Sequence, residues 1–262
     1  MSPTDAGPRR FERRRLGMGE LDGATAVITG GSRGIGFAAA RGIGLLGATV
    51  VLVGQDPNRA EAAAESLQAE GIDALGTSCD VSDYGSVAAL AARLGPLAEV
   101  DILVGSAGVM SERMSKTLRT SDEEWRRVMR VNLDGVFNVM SVFGPGMVER
   151  RRGRIIAVSA CLGRFSGPGT AGGLAPYRVS KAAVNALVKN LAAEMQFGKR
   201  GVLVDAMCPN HCRTDMGGPE APRSALEGAD TIVWLASRPA LLPDGTPAPS
   251  GFLWEDREAI AW

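Results

Sequence analysis

Two side chains suited to proton transfer, Tyr177 and Lys181, lie four residues apart. At this spacing both project from one face of a helix, and Pro176 suits the first turn of that helix. A neighbouring ammonium group lowers the pKa of a phenol, which can then exchange a proton with a carbonyl or alcohol oxygen near neutral pH. Such pairs also arise by chance. The prediction that Tyr177 and Lys181 are catalytic therefore depends on the motifs found elsewhere in the chain.

A glycine-rich segment, residues 29–36 (TGGSRGIG), follows a run of apolar residues and precedes a helical pattern. Gly30 permits backbone angles closed to other residues, Gly34 permits close approach of a pyrophosphate, and Gly36 lets the helix pack near the strand. The start of the helix offers free N–H groups and a favourable dipole to phosphates. A tight structural turn is the alternative, but the position after a first strand favours dinucleotide binding.

Short apolar runs alternate with helical patterns along the rest of the chain. The runs that predict buried strands are 24–29, 48–53, 73–78, 100–105, 153–159 and 202–208, with a last short strand that includes Phe252 and Leu253. Helical periodicity covers 57–70, 82–94, 121–148 and 176–197. This alternation predicts an α/β protein with a Rossmann-type, doubly wound parallel sheet of about seven strands and helices on both faces.

The composition is that of an ordinary globular protein, with 29 basic and 29 acidic residues among 262. Balanced charge gives no reason to expect nucleic-acid binding, and no apolar run approaches a membrane span. Residues 1–20 are polar and include the basic run FERRR, which predicts a flexible tail before one domain at 21–262. The first residues lack an apolar signal core, so we expect a cytoplasmic protein.

The four cysteines show no C-x-x-C pairing, and we expect them to be reduced. Cys208, His211 and Cys212 lie within five residues of one another and raise the question of a metal site. Two thiols and one imidazole form an incomplete and poorly spaced ligand set. We therefore predict no metal.

The segment 29–36 matches the pattern TGxxxGxG and Tyr177 begins a YxxxK motif, so the chain resembles the short-chain dehydrogenase/reductase family. The resemblance runs from about residue 22 to the C-terminus. Residues 213–236 and 251–262 look especially similar to the carbonyl-reductase branch. This resemblance implies a single-domain oxidoreductase that uses a nicotinamide cofactor.

The resemblance also implies roles for individual residues. It makes Tyr177, Lys181 and Asn132 catalytic, with Asn132 holding the lysine through a water. Thr214 matches the residue that binds the nicotinamide carboxamide, and His211 lies where relatives cover their substrates, although packing is an equally good role for it. The expected contacts to the cofactor are Gly30, Ser32, Arg33, Gly34, Ile35, Gly36, Gln55, Asp80 (on the adenine), Val81, Ala107, Gly108, Tyr177, Lys181 and Thr214.

NADP(H) is the expected cofactor. An NAD-specific site carries an acidic residue at the end of the second strand, and here Val53-Gly54-Gln55 lacks it. Arg33 occupies the place where NADP(H) enzymes of the family carry a basic residue, and guanidinium suits a phosphate dianion. Gln55 stands where many such enzymes carry a second arginine. Asp56 comes later and is expected to cap the helix near Pro57.

The active site departs from the family pattern at its serine. The carbonyl-binding serine lies three residues before a glycine, here Gly163, so Ala160 stands in its place. Ser159 precedes it, but adjacent strand residues point to opposite faces, and Ser159 would serve only after a shift of one residue. Ser166 or Thr170, in a longer segment before Tyr177, are other candidate hydroxyls.

These features predict an NADPH-dependent reduction of a ketone or aldehyde to an alcohol, with Tyr177 as proton donor. Two alternatives stay open because of Ala160: a non-redox enzyme such as a cyclase, epimerase or dehydratase, or a cofactor-binding protein without turnover. The expected partner is a small carbonyl or alcohol substrate. The helices at about 121–148 and 176–197 are the expected contacts of a homodimer or homotetramer.

Overall fold

The computed structural model of the protein describes residues 20–111 and 116–262. All but the last residue of the predicted 1–20 tail lies outside the described residues. The described chain forms one α/β domain. Its strands are β1 (Thr25–Thr29), β2 (Thr49–Gly54), β3 (Ala74–Ser78), β4 (Ile102–Gly105), β5 (Gly153–Val158), β6 (Val202–Met207), β7 (Leu253–Glu255) and β8 (Glu258–Ile260). Its α-helices are α1 (Gly34–Leu45), α2 (Pro57–Ala69), α3 (Tyr84–Leu94), α4 (Asp122–Met129), α5 (Gly135–Arg150), α6 (Ala175–Glu194) and α7 (Ala225–Ser237).

The strands form one sheet in the order β3-β2-β1-β4-β5-β6-β7-β8. Strands β1 to β7 are parallel, as predicted, and the doubly wound topology is confirmed. The strand order reverses between β1 and β4, and in such sheets a crevice forms there at the carboxyl ends. The eighth strand was not predicted. It pairs antiparallel with β7 through a turn at Asp256 and Arg257, which have φ of 51° and 64°.

Helices cover both faces of the sheet, as predicted. Consecutive strand residues, such as Val27 and Ile28, point to opposite faces of the sheet and into different cores. One core lies between the sheet and helices α3, α5 and α6. The other lies between the sheet and helices α1, α2 and α7. The strands read as continuous apolar runs because both of their faces are buried.

The starts of two helices show how local sequence fixes their position. Asp56 caps α2 by accepting a hydrogen bond from Arg59 N at 3.2 Å, which confirms its predicted role. Helix α7 begins with a capping box in which Ser224 and Glu227 bond to each other's backbone N–H. Helix α7 was not predicted, although the sequence contains the Ser-x-x-Glu pattern of a capping box at 224–227.

The helical pattern predicted at 121–148 contains one irregular turn. Helices α4 and α5 are joined without a break by a π-helical turn at Arg130–Asp134. Such widened turns are rare and are frequently found at functional sites. The turn contains Asn132, which is fully buried. None of the helices in the described ranges is long and apolar enough to cross a membrane.

A buried ion pair ties the C-terminal part of the sheet together. Asp205 on β6 accepts a hydrogen bond from Arg238 at 2.5 Å, and both side chains are at most 6% exposed. The second carboxylate oxygen accepts bonds from the Gly251 and Phe252 amides and from the indole N–H of Trp254. The pair therefore joins β6, the end of α7 and the approach to β7.

Removing one partner of this pair should destabilise the fold strongly. We expect Asp205→Ala to lower the free energy of unfolding by about 3–5 kcal/mol, because the Arg238 charge stays buried without its partner. Asp230→Ala is the matched control. It breaks an ion pair with Arg257 in which both side chains are about half exposed, and such pairs contribute about 0–1 kcal/mol. Urea unfolding of both variants measures the difference, and equal losses would contradict the prediction.

Candidate active site

The carboxyl ends of six strands open into one cleft of about 1540 Å³. The residues that directly follow β1 to β6 all line it: Gly30, Gln55, Cys79, Ser106, Ser159 and Cys208. Every residue predicted to contact the cofactor also lines this cleft, namely Gly30, Ser32, Arg33, Gly34, Ile35, Gly36, Gln55, Asp80, Val81, Ala107, Gly108, Tyr177, Lys181 and Thr214. His211 lines it as well.

The glycine-rich turn after β1 has no room for side chains. A Cβ at Gly30 would lie 2.8 Å from Ala107 N, and one at Gly36 would lie 2.3 Å from the Gly30 carbonyl oxygen. Gly34 has φ of +56° and begins α1, and no side-chain hydrogen bond caps that helix start. The turn thus leaves backbone N–H groups facing a crevice, which fits the pyrophosphate of a dinucleotide.

The end of β2 lines the cleft beside the glycine-rich turn. Val53 and Gly54 are buried, and Gln55 is the first exposed residue after them. The guanidinium of Arg33, in the glycine-rich turn, forms an exposed ion pair with Asp215. Asp215 belongs to the segment after β6, so this pair joins the glycine-rich turn to that segment. No sequence motif predicted a role for Asp215.

Asp80 and Val81 follow β3 and line the adjoining part of the cleft. The Asp80 carboxylate accepts a hydrogen bond from Ser82 N at 2.9 Å. The carbonyl of Val81 accepts one from the Asn138 amide on α5 at 2.8 Å. These bonds fix the chain where an adenine would lie.

Asn132 fastens the loop after β4 to two helices. Its side-chain oxygen accepts a bond from Val109 N at 2.8 Å, and its amide donates to Val109 O at 2.9 Å and to Ser180 Oγ at 3.1 Å. The Ser180 hydroxyl donates to the carbonyl of Tyr177 at 2.7 Å. The side chain of Asn132 therefore positions the loop and α6, and its predicted water link to Lys181 stays a prediction.

Tyr177 and Lys181 lie side by side on the first two turns of α6. The lysine nitrogen is 5.8 Å from the centre of the tyrosine ring and donates a hydrogen bond to the Val158 carbonyl at 2.7 Å. Both side chains are buried. Burial lowers the pKa of Lys181 to about 8, so the ammonium form predominates below that pH.

The pKa of the Tyr177 phenol moves opposite to our expectation. We expected Lys181 to lower it, but burial raises it above its ordinary value of 10.0, and Cys208 and Cys161 raise it further. A buried phenol loses the hydration that stabilises its anion, and this loss is the largest cause of the shift. Tyr177 is therefore protonated at neutral pH in the protein alone.

Ala160 and Ser159 follow β5 and lie in different surroundings. Ala160 packs against Tyr177 in a small apolar cluster. The Ser159 hydroxyl is buried and lies 2.5 Å from Asn185 Oδ1 and 3.3 Å from the carbonyl oxygen of Lys181, both on α6. The extended conformation expected of adjacent strand residues accounts for this divergence.

Gly163 explains why the chain after β5 can approach α6 so closely. A Cβ at this position would lie 2.7 Å from the carbonyl carbon of Lys181 and 2.8 Å from Ala182 N.

The candidate hydroxyls of Ser166 and Thr170 lie in the longer segment after Gly163. Ser166 Oγ accepts a bond from Arg164, Thr170 donates to the Gly167 carbonyl, and neither is among the residues that line the cleft.

Two cysteines lie beside the tyrosine, which the sequence did not indicate. Cys208 Sγ accepts hydrogen bonds from Cys161 N at 2.9 Å and from Asn210 N at 3.4 Å. The side-chain hydrogen bond with Cys208 lowers the pKa of Cys161 to about 7. All four cysteines of the chain are free thiols. Among the described residues, no group of three acidic, histidine or cysteine side chains could hold a metal.

His211 and Thr214 belong to the segment after β6. The imidazole of His211 is exposed and its Nε2 lies 2.8 Å from the carbonyl oxygen of Gly217. Thr214 Oγ1 accepts a bond from Gly217 N at 3.2 Å, and the methyl group of Thr214 would lie 3.1 Å from a Cβ at Gly34. This segment thus closes the cleft opposite the glycine-rich turn.

A dinucleotide-binding α/β fold with a buried tyrosine and lysine at the same cleft defines a class of nicotinamide-dependent oxidoreductases. The sequence pattern of the short chain dehydrogenase family matches residues 24–224. The chain belongs to this family, whose members are NAD(P)-dependent oxidoreductases.

Two relatives show the range of reactions in the family. The chain is 33% identical to gluconate 5-dehydrogenase of Gluconobacter oxydans over 200 residues, 75% of this chain and 74% of the relative. It is 35% identical to 3-oxoacyl-[acyl-carrier-protein] reductase of Pseudomonas aeruginosa over 211 residues, 79% of this chain and 82% of the relative. The resemblance to the carbonyl-reductase branch stays a prediction.

Solved structures of relatives share the fold. A metagenomic short-chain oxidoreductase in complex with NADP superposes with a TM-score of 0.72 at 32% identity, covering 84% of this chain and 93% of that one. A gluconate 5-dehydrogenase from Burkholderia cenocepacia in complex with NADP and tartrate gives 0.73 at 28% identity, covering 82% and 88%.

The chain contains two tyrosines, Tyr84 and Tyr177, which allows a direct test of the buried phenol. In Tyr84→Phe protein without cofactor, the ultraviolet absorbance of tyrosinate should develop only above the ordinary pKa of 10.0, because burial disfavours the anion. The Tyr177→Phe variant is the control and retains only the exposed Tyr84. Ionisation of Tyr177 below that value would show that Lys181 outweighs burial after all.

Proposed function

We propose that this protein uses NADPH to reduce a ketone or aldehyde to an alcohol, with Tyr177 as the proton donor. The observation that carries the proposal is the protonated, buried phenol of Tyr177 at the dinucleotide cleft, beside Lys181 and Gly108. A Cβ at Gly108 would lie 3.7 Å from the lysine nitrogen, so this glycine leaves the space between them open.

The residues divide the reaction between them. When bound, the nicotinamide supplies the hydride. Tyr177 gives its O–H proton to the carbonyl oxygen as negative charge develops there, and the phenol carries that proton at neutral pH. The ammonium of Lys181 lies near enough to stabilise the resulting phenolate. Asn132 holds the loop that carries Gly108 against α6.

We propose NADP(H) rather than NAD(H). The support is the missing acid after β2, together with Arg33 at the mouth of the cleft. Two solved relatives hold NADP, which agrees with this choice. In the protein alone the Arg33 guanidinium is paired with the Asp215 carboxylate. A bound 2′-phosphate would replace Asp215 as the partner of Arg33.

The proposal extends to the setting of the reaction. We place it in the cytoplasm, in agreement with four free thiols. A homodimer or homotetramer through α4, α5 and α6 is supported by the half-exposed apolar side chains Phe137 and Val179 on these helices.

A second candidate function, a non-redox enzyme or a cofactor-binding protein, is favoured by one observation. Ala160 gives the cleft no hydroxyl at the place where a carbonyl oxygen would be polarised, and Ser159 bonds to α6 instead. Loss of one such donor costs about 10²–10³ in rate, which weakens a reductase without abolishing it. The variants below separate the two functions.

Tyr177→Phe should lower turnover of a carbonyl substrate at least about 10²-fold, because it deletes the proton and keeps the ring. Affinity for NADPH should change little. Stopped-flow or steady-state oxidation of NADPH measures the rate, and fluorescence titration measures the affinity. Full activity in this variant would refute the proposed chemistry and favour a non-redox reaction.

Ala160→Ser restores the family residue and is the complementary test. We expect kcat for simple ketones to stay equal or to rise, because the hydroxyl would lie beside Tyr177 and polarise the carbonyl. Ser159→Ala is its matched control at the neighbouring position and should reduce kcat far less than Tyr177→Phe. A larger loss with Ser159→Ala than with Tyr177→Phe would assign the donor to Ser159.

Arg33→Ala should narrow the preference for NADPH over NADH about 10-fold or more, because a charge-assisted bond to the 2′-phosphate is lost. Asp215→Asn is the matched control on the other side of the ion pair, and it should strengthen NADPH binding because it releases Arg33. Calorimetric titration of both cofactors measures these affinities. Equal affinities in the unmodified protein would refute the NADP(H) assignment.

A further inference from the structure

The part of the cleft next to Tyr177 has an apolar lining. Five side chains that line the cleft pack in one cluster with the tyrosine ring, and we call them the apolar wall: Val109, Met110, Ala160, Leu162 and Leu174. Val128 from α4 backs this cluster and is fully buried. These side chains are therefore near neighbours of any molecule whose reacting oxygen meets the Tyr177 hydroxyl.

Charge is concentrated in the other half of the cleft. In the described ranges, six of the charged residues that line the cleft lie between β1 and the residues just after β3: Arg33, Arg41, Asp56, Arg59, Glu70 and Asp80. Asp215 lines the cleft as well and pairs with Arg33 at the glycine-rich turn. Arg213 also lines it, but its guanidinium donates to the carbonyls of Ala221 and Pro222. Of the described charged groups, Lys181 is therefore the one beside the tyrosine, and it bonds to the Val158 carbonyl.

The segment that supplies two wall residues is held in place by one arginine. Arg178 follows Tyr177 on α6, and its guanidinium donates hydrogen bonds to the carbonyls of Gly173, Pro168 and Gly169 at 2.9–3.2 Å. A longer contact of 3.5 Å reaches the carbonyl of Leu162. The arginine thus gathers the longer segment between Ala160 and Tyr177 into a fixed shape.

Leu174 is held in a backbone conformation that leucine rarely adopts. It directly precedes α6 and has φ of 54° and ψ of 36°, in the left-handed region. Such strain persists only where the surrounding structure imposes it, and it occurs preferentially at functional sites. Glycine or asparagine would adopt this conformation more readily. The leucine side chain at this position lines the cleft at Tyr177.

The apolar lining continues toward solvent. Met216 and Leu226 line the same cleft, and 43% and 58% of their respective surfaces are exposed. We expect a hydrocarbon group that begins at the wall to reach these two side chains.

We propose that the substrate is an uncharged carbonyl compound with hydrocarbon groups on the carbon atoms next to the carbonyl, and that Leu162 and Leu174 select it. The inference rests on the proposed reduction. Hydroxyl or carboxylate groups placed against the apolar wall would lose their hydration without gaining partners, which is costly. Polyols and sugar acids, the substrates named for some relatives, are therefore poor substrates here.

The first test compares kcat/KM of the full protein with NADPH for two sets of ketones. Cyclohexanone and acetophenone represent hydrocarbon substituents, and dihydroxyacetone and a ketogluconate represent polar ones. We expect at least about 10²-fold higher kcat/KM for the hydrocarbon ketones, because each unpaired hydroxyl costs affinity. Higher kcat/KM for a polar ketone would overturn the inference and leave the proposed reduction intact.

Variants at Leu174 test the wall itself. Leu174→Asn keeps the left-handed backbone and replaces the hydrocarbon by an amide, so the ratio of the two kcat/KM values should fall about 10-fold. Leu174→Gly is the matched control, since it keeps the backbone and adds no polar group. It should raise KM for cyclohexanone without improving dihydroxyacetone. An unchanged ratio in Leu174→Asn would exclude this residue from substrate selection.

A binding measurement keeps the inference testable if NADPH is not oxidised by any carbonyl, an outcome that would refute the proposed reduction. Saturation-transfer NMR on the NADP⁺-loaded protein then compares cyclohexanol with glycerol. The wall predicts a signal for cyclohexanol that Leu174→Asn weakens and no comparable signal for glycerol. Binding of glycerol alone, or of neither alcohol, would overturn the inference independently of turnover.

Discussion

Helix α6 and the turn after β5 lie so close together that only glycine fits at residue 163, where a Cβ would come within 2.8 Å of the main chain of Lys181 and Ala182. This contact fixes the height of α6 over the sheet. It brings Lys181 within hydrogen-bond distance of the last residue of β5 and places Tyr177 against Ala160. The same contact buries both titratable groups, and burial shifts the pKa of the phenol upward and that of the ammonium downward.

The cleft has two chemically different halves because different strands end in each. The glycine-rich turn and the ends of β2 and β3 present backbone N–H groups and charged side chains, which suit a charged dinucleotide. The ends of β4 and β5 and the start of α6 present hydrocarbon side chains around one phenol. In the proposed reaction the carbonyl lies at the boundary between these halves, with Tyr177 as its donor and Lys181 as the nearby charge.

Burial of the tyrosine also bears on the absence of a serine at residue 160. A protonated phenol in apolar surroundings is a hydrogen-bond donor that water does not compete for, and such bonds are stronger than in solvent. The polarisation that a second hydroxyl would supply is missing, while the proton itself is present. The π-helical turn around Asn132 completes this arrangement, because it holds the loop after β4 against α6.

The sequence by itself determined the fold, since alternating apolar runs and helical patterns predict a parallel sheet, and the glycine-rich turn after the first strand favours its doubly wound form. It also predicted a glycine-rich turn between the first strand and a helix, and it placed Tyr177 and Lys181 on one helix face, because these features depend on local spacing. The hairpin of β7 and β8 and the start of α7 also depend on local sequence, at 256–257 and 224–227, but neither element was predicted. Tertiary structure alone decided the rest. The pKa of Tyr177, the bonds of Ser159 to α6, the Arg33–Asp215 pair and the hydrocarbon lining all involve residues far apart in the chain, and burial by distant elements sets their energies.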